Sequence, residues 1–91
     1  MRRIFRFELP LDDQPHEVAE GTVVLVAPDR AGNDAVEAWV EVPDPETWVS
    51  TGEPSQRLQV FGTGFEIPEN ALWRGSCAAG TFIWHVYRIV P

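Results

Sequence analysis

A glycine-rich segment, Phe61-Gly62-Thr63-Gly64, directly follows a short apolar run in the middle of the chain. Because glycine has no side chain to hinder a ligand, the backbone N–H groups of this segment can wrap around an anion. The segment lacks the lysine and the further glycine spacing of a P-loop or a dinucleotide fingerprint, and no helical pattern follows it. It therefore predicts either an anion-binding loop or a tight turn or bulge.

Tryptophan and arginine supply the other groups that recognise nucleotides. A tryptophan outside a core offers a large contact area and stacks on nucleobases, which is worth about 1–3 kcal/mol per base. Trp39 shares a strand face with two glutamates, and Trp48 lies in a proline-rich segment, so both are candidates for a surface role. Trp84, beside His85, suits either the core or a ligand contact.

Arg6 and Arg74 can contact phosphates through their planar guanidinium groups, although such arginines are also common as exposed, solubilising residues. Together with the glycine-rich segment and the Trp84-His85 pair, these arginines define a predicted ligand-binding set. Its members are Arg6, Gly62, Thr63, Gly64, Arg74, Trp84 and His85.

Nucleophilic catalysis has one weak candidate, since Ser76 and Cys77 lie close to His85 in sequence and can meet it across a hairpin. A working nucleophile also needs a group that orients the base and a donor for the oxyanion, and the sequence identifies neither. Cys77 between small residues is typical of a buried hydrophobe. We therefore expect no enzymatic activity.

Metal binding is not indicated, because His16 and His85 lie far apart and the chain has a single cysteine. The acidic residues around His16 fit a solvated turn better than a cation site. We expect no metal and no cofactor.

Net charge and the distribution of apolar residues argue against nucleic-acid and membrane partners. Fourteen acidic residues against seven arginines give a net charge of -7, which disfavours DNA or RNA polymers as partners. No apolar run reaches the roughly 20 residues that span a bilayer, and no signal peptide is evident. With its lone Cys77, the chain is expected to remain in the cytoplasm, without a membrane partner.

Six segments combine β-branched or aromatic residues with alternation or with flanking turn residues, as strands do. They are residues 5–9, 23–27, 35–42, 58–61, 72–78 and 81–90. The run at 23–27 is continuous, which is typical of a strand covered on both faces. The last segment is apolar on both faces and predicts a central strand.

The intervening segments are rich in turn residues. Residues 28–34 predict a loop or hairpin turn, and residues 43–56, with three prolines, predict a long irregular loop. Only residues 12–20 suit a helical turn. The sequence predicts one domain over residues 1–91, all-β with at most one helical turn, arranged as a small sandwich or partly open barrel of about six strands.

Three blocks, at residues 4–9, 60–68 and 82–87, give the chain a resemblance to a family of short proteins encoded by bacterial viruses. The likeness extends over nearly the whole chain. It departs from the family pattern where Phe65-Glu66 replaces a His-Pro pair, where Gly75-Ser76 replaces Gly-Thr, and in a longer segment around Trp48. If the missing histidine contacts ligand in relatives, this chain binds differently or not at all.

The resemblance implies a viral protein of the host cytoplasm that sequesters a cyclic nucleotide immune signal without cleaving it, like the anti-CBASS sponges. Such a protein is expected to be a homo-oligomer with a deep preformed pocket. The alternative hypothesis is a minor virion component or an inhibitor of a host protein. In that case Trp39, Trp48 and the acidic loop form a flat contact surface without a small-molecule pocket.

Overall fold

The computed structural model of the protein describes residues 1–32 and 34–91. Within them, seven strands form two antiparallel sheets, and one short helix joins the sheets. The elements are β1 (Arg3–Pro10), β2 (His16–Ala19), β3 (Thr22–Pro28), β4 (Ala35–Val42), α1 (Pro45–Thr51), β5 (Ser55–Gly62), β6 (Ala71–Ala79) and β7 (Phe82–Ile89). The strand orders are β1-β4-β3 and β2-β5-β7-β6. The predicted all-β class is confirmed, with two open sheets and seven strands where about six were predicted.

The core lies between the two sheets and consists mainly of aliphatic side chains. On β4 the predicted alternation holds, since Val36, Ala38 and Val40 are fully buried. Leu58 on β5 and Val86 on β7 meet them from the four-stranded sheet. Burial of such side chains stabilises the fold by roughly 1.5–3 kcal/mol each. The interior position of β7 agrees with the prediction of a central strand.

The two sheets contact each other where β3 packs on β6. The pairing of β6 with β7 shifts register between Trp73 and Gly75. A Cβ atom built on Gly75 would lie 2.6 Å from the Cγ2 atom of Val26. Only glycine fits this position without displacing its neighbour, so Gly75 sets the distance between the two edge strands.

The prediction of a strand covered on both faces at residues 23–27 is wrong. β3 is an edge strand, and Val24 and Leu25 are about half exposed. A continuous apolar run is equally compatible with a strand whose outer side chains meet no third layer, because hydrophobic residues also occupy much of a protein's surface.

The helical turn predicted within residues 12–20 is also wrong, because β2 occupies that segment. β2 pairs with β5 in antiparallel register, which places Val18 and Ala19 in the core. A four-residue strand has too little alternation to be recognised from sequence, so its partner β5 decides its conformation.

Residues 43–56 contain α1 instead of an uninterrupted loop. The Asp44 carboxylate caps the helix by accepting the Thr47 backbone N–H, Pro45 occupies the first turn, and Gly52 ends the helix with a φ of 72°. Trp48 packs edge-to-face on Phe7, with ring centroids 6.0 Å apart. The capping residues Asp44, Pro45 and Gly52 are recognisable in the sequence. The three prolines of residues 43–56 led to the prediction of a loop instead.

The predicted turn at residues 28–34 includes Asn33, which lies outside the described residues. Over the described part of the chain, no helix is long and apolar enough to cross a membrane.

Replacing Gly75 by alanine should lower the free energy of unfolding by about 1–3 kcal/mol, because the new Cβ atom overlaps the Val26 side chain. The same substitution in a Val26→Ala background should cost much less, because the overlapping methyl group is gone. A double-mutant cycle of urea unfolding curves measures this coupling. Equal costs in both backgrounds would show that the β3–β6 contact is not limiting.

Candidate functional site

The candidate site lies on the solvent side of the four-stranded sheet, where β5, β6 and β7 run side by side. Side chains alternate along a strand, and Val60 and Val86 belong to the core. Their neighbours Phe61 and His85 therefore face away from the core. The register places His85 opposite Phe61 on one side and Ser76 on the other.

Four side chains form a continuous chain of hydrogen bonds across this surface. The indole N–H of Trp73 donates to Ser76 Oγ at 3.0 Å. Ser76 Oγ lies 2.7 Å from His85 Nδ1, and His85 Nε2 lies 2.9 Å from Thr63 Oγ1. The Thr63 hydroxyl also donates to the carbonyl oxygen of Ile83 at 3.3 Å.

The two ends of this chain have a fixed direction, because the Trp73 indole N–H can only donate and a carbonyl oxygen can only accept. The direction of the two His85 bonds follows the tautomer of the ring. With the Thr63 proton on Ile83, His85 Nε2–H donates to Thr63 and Nδ1 accepts from Ser76. With the Thr63 proton on Nε2, Nδ1–H donates to Ser76 instead.

Aromatic and apolar side chains surround the hydrogen-bonded chain. Phe61, although on the outer side of the sheet, is buried and packs edge-to-face on Tyr87 at 5.5 Å. Trp73 is 59% exposed and Phe65 is 50% exposed. We call this surface the aromatic face; it comprises Phe61, Thr63, Phe65, Ile67, Trp73, Ser76, Ile83, His85 and Tyr87.

None of the nine residues of the aromatic face is an aspartate, glutamate, lysine or arginine, although the exposed Glu66 lies between Phe65 and Ile67 in the chain. Surfaces that bind partners are typically poor in charge and rich in Trp, Tyr and Phe. Two open clefts lie beside Thr63, one of about 350 Å³ reaching Trp84 and one of about 190 Å³ reaching Tyr87. Neither cleft of the single chain is the deep pocket that was expected of a sponge.

The structure brings four of the seven predicted ligand-binding residues together. Gly62, Thr63, Gly64 and His85 line the smaller cleft. Trp84 packs against the core on the opposite side of β7 from His85, and its ring meets Phe82 at 5.8 Å. It reaches the site only along the larger cleft, at the end of the strand.

Arg6 lies on the other sheet, away from the glycine-rich segment. It donates at 3.1 Å to Glu37, whose side chain is only 1% exposed. Arg30 donates to the same carboxylate oxygen through both its backbone N–H and its side chain, and its guanidinium lies 5.9 Å from the centre of the Trp39 ring. Arg6, whose side chain is 37% exposed, is thus paired with a buried carboxylate within this chain.

Arg74 lies between Trp73 and Gly75, where the pairing of β6 with β7 shifts register. It donates to the carbonyl oxygen of Trp73 at 3.2 Å. It lines neither cleft beside the glycine-rich segment. The predicted pair of phosphate-binding arginines is therefore not assembled at the aromatic face of a single chain.

Sequence reasoning overlooked Phe61, Phe65, Ile67 and Tyr87 as members of the site. Alternation along residues 83–87 does place Ile83, His85 and Tyr87 on one face. By contrast, Phe65 reaches the face through a turn after β5. In this turn the Phe65 N–H donates to the Gly62 carbonyl oxygen at 3.1 Å. That turn has no distinctive sequence pattern beyond its glycines.

The Ser76–His85 contact resembles the nucleophile–base pair of a hydrolase, but its third member differs. The second nitrogen of His85 bonds to the Thr63 hydroxyl, whereas a triad uses a carboxylate that stabilises the imidazolium. Cys77 lies on the other side of β6, and burial raises the pKa of its thiol. Among the described residues, no group of three or more His, Cys, Asp or Glu could hold a metal ion.

Residues 1–90 match the model of a protein family described as a domain of unknown function, DUF7352. No curated protein and no solved structure matches the chain.

Replacing Arg6 by alanine should lower the free energy of unfolding by about 1–2 kcal/mol, because the buried Glu37 carboxylate loses one of its charged donors. The matched control is Arg57→Ala, which truncates an exposed arginine on β5 and should change stability by less than about 0.5 kcal/mol. Urea unfolding measures both. Equal effects would contradict a stabilising Arg6–Glu37 pair.

Native Cys77 should react slowly with a thiol reagent such as DTNB at pH 8, because its raised pKa leaves less thiolate than an exposed cysteine has. The same protein unfolded in urea should react at the rate of a model peptide. A native rate equal to or above the unfolded rate would show an accessible, activated thiol.

Proposed function

We propose that this chain, which belongs to the DUF7352 family, is a binding protein that takes up a planar heteroaromatic ligand on its aromatic face without transforming it. The observation that carries the proposal is the uncharged surface built around the Trp73–Ser76–His85–Thr63 hydrogen bonds. These bonds hold polar groups in place, and exposed aromatic rings flank them.

The ligand proposed first is a cyclic nucleotide. Its bases can stack on the exposed rings of Trp73 and Phe65, as bases do on aromatic side chains in general. Thr63 and Ser76 offer hydroxyl groups to the edge of a base, and the backbone of Gly62–Gly64 lies beside them. The bound ligand would be held mainly by stacking and neutral hydrogen bonds.

The phosphates of such a ligand must be neutralised without Arg6, because that guanidinium is paired with Glu37 on the other sheet. Within one chain the aromatic face supplies no lysine or arginine for this purpose. A homo-oligomer in which a second copy brings an arginine to the ligand would meet this need, so oligomerisation is part of the proposal. The proposed setting, a viral sponge in the host cytoplasm, rests on the family resemblance described above.

A protein partner is the second candidate, and one observation favours it. The clefts on the aromatic face are open, while Trp73, Phe65 and Ile83 present apolar surface to solvent. A phage structural protein or a host protein with a matching apolar surface would bury these side chains. This version places the contact surface on the aromatic face, and not on Trp39 and Trp48 as the sequence suggested.

A thermal-shift screen against cyclic di- and trinucleotides tests the first candidate. A ligand that binds only the folded chain stabilises it by about 2.7 kcal/mol at a hundredfold excess over Kd. For a domain of this size the melting temperature should rise by roughly 10 °C or more. Chromatography after long incubation should return the ligand intact.

Matched variants locate the binding surface. Trp73→Ala should abolish most of the shift, because it removes the most exposed ring of the face. Leu25→Ala, which truncates a similarly exposed residue on the other sheet, should keep the shift, and so should Arg6→Ala. A flat response over the whole panel would reject the cyclic nucleotide. A product peak in place of the starting ligand would show that the chain catalyses a reaction of the ligand and does not merely bind it.

A further inference from the structure

We propose that strand β6 pairs with β6 of a second copy of this chain, so that two aromatic faces join into one surface across a two-fold axis. The proposal rests on the proposed function and specifies the homo-oligomer that this function requires. Three features of β6 and β7 carry it: an open strand edge, the absence of acidic residues and the exposed apolar side chains. The second copy also contributes Arg74 to the ligand.

β6 forms an open edge of the four-stranded sheet. It pairs with β7 on one side, and no strand of the described chain pairs with it on the other side. A bulge at Arg74 interrupts its first half, whereas residues 75–79 are small and uncharged. Proteins usually protect sheet edges with short strands, charges or proline, because an open edge pairs readily with another strand. The opposite edge follows this rule, since β2 has four residues and includes Glu17.

The charge distribution favours a second copy of this chain as the partner. All fourteen acidic residues lie within residues 1–69, whereas residues 70–91 contain two arginines and no acid. Two copies that each carry a net charge of -7 repel each other over most of their surface. β6 and β7 lie within the acid-free part of the chain, so two copies can meet there without opposing carboxylates.

Exposed apolar side chains provide contact area beside the open edge. Leu72 and Trp73 on β6, and Phe82 and Ile83 next to the turn, are each about half exposed or more. Pairing of a few strand residues alone is marginally stable in water. Burial of these side chains between the two copies supplies the further stabilisation that such a dimer needs.

The symmetry of this pairing agrees with the proposed ligand. The two-fold axis of an antiparallel strand pair stands perpendicular to the sheet, so the two aromatic faces point in the same direction. The joined surface carries two Trp73 rings, one from each copy. A cyclic dinucleotide such as cyclic di-AMP has two bases related by the same symmetry, and each base can stack on one ring.

Arg74 is the arginine that the second copy contributes. It forms no ion pair within the described chain, and its guanidinium donates to the neighbouring Trp73 carbonyl oxygen. Antiparallel pairing centred on residues 76–79 places Arg74 of one copy beside the turn between β6 and β7 of the other copy. The larger cleft opens there, lined by Thr81, Phe82 and Ile83. A ligand phosphate at this end then meets a guanidinium that a single chain does not supply.

Sedimentation velocity from micromolar to millimolar concentration tests the dimer. The 10.2 kDa chain should approach twice that mass as its concentration rises, and cyclic di-AMP should lower the concentration at which this happens. Ala78→Glu should remain monomeric where the wild-type chain is a dimer, because this exposed position of β6 would oppose two like charges. Ala31→Glu, the same change at an exposed alanine between β3 and β4, should leave the dimer intact.

A charge-reversal pair separates loss of pairing from loss of folding. Ala78→Lys should also be monomeric by itself, whereas an equimolar mixture of the Ala78→Glu and Ala78→Lys chains should form a heterodimer through opposite charges. Circular dichroism verifies that both variants fold. A wild-type chain that stays monomeric at millimolar concentration overturns the proposal. A dimer that survives Ala78→Glu, or a mixture that stays monomeric, overturns it as well.

Arg74→Ala tests the contribution of the second copy to the ligand. This variant should keep the dimer and bind cyclic di-AMP about tenfold or more weakly, because charged hydrogen bonds to phosphate are lost. Its affinity for adenosine, which has no phosphate, should stay at the wild-type value. Isothermal titration calorimetry measures both affinities. An unchanged affinity for cyclic di-AMP would refute the role of Arg74.

The outcomes separate this proposal from the proposed function. If cyclic di-AMP binds to a chain that remains monomeric, the pairing of β6 is refuted while the binding function stands. If the chain dimerises through β6 but no cyclic nucleotide binds, the pairing is supported and the cyclic nucleotide is rejected.

Discussion

The antiparallel pairing of β5 with β7 is the constraint on which both the core and the site depend. Its register sets Val60 opposite Val86 on the inner side of the sheet and Phe61 opposite His85 on the outer side. Because alternate side chains point to opposite faces, a slip of one residue would exchange these two sets. Because the core requires Val60 and Val86 on the inner side, the same register also fixes which residues form the aromatic face.

Charge is distributed unequally between the two sheets. The outer side of the three-stranded sheet carries the buried Glu37 with Arg6 and Arg30, and the exposed pair of Arg2 with Glu41. A buried carboxylate is tolerated only with charged or hydrogen-bonding partners, which explains why Arg6 is held there. The outer side of the four-stranded sheet around His85 is uncharged. The four-stranded sheet has an ion pair as well, since Arg88 of β7 donates to Glu20 at 2.7 Å. Alternation along β7 puts Arg88 on the opposite side of the strand from His85.

Polar groups on the aromatic face satisfy one another before any ligand arrives. Such preorganisation lowers the entropic cost of binding, because the side chains need not be ordered at that moment. The four hydrogen-bonded residues thus provide rigidity in the proposed function.

The sequence by itself determined the all-β class, the six longer strands and the interior place of β7, because alternation and β-branched runs are local signals. It also placed Thr63, His85 and the two neighbouring glycines in the predicted ligand-binding set, together with Trp84 and two arginines, but without a strand order that would bring them together. Only the tertiary structure decided that residues 16–19 form a strand, because β5 supplies the partner that four residues cannot specify. It likewise separated Arg6 from the glycine-rich segment, since the pairing of β1 with β4 puts Arg6 beside Glu37. Which distant strands share a sheet is set by packing of the whole core, and a single residue's type carries no record of it.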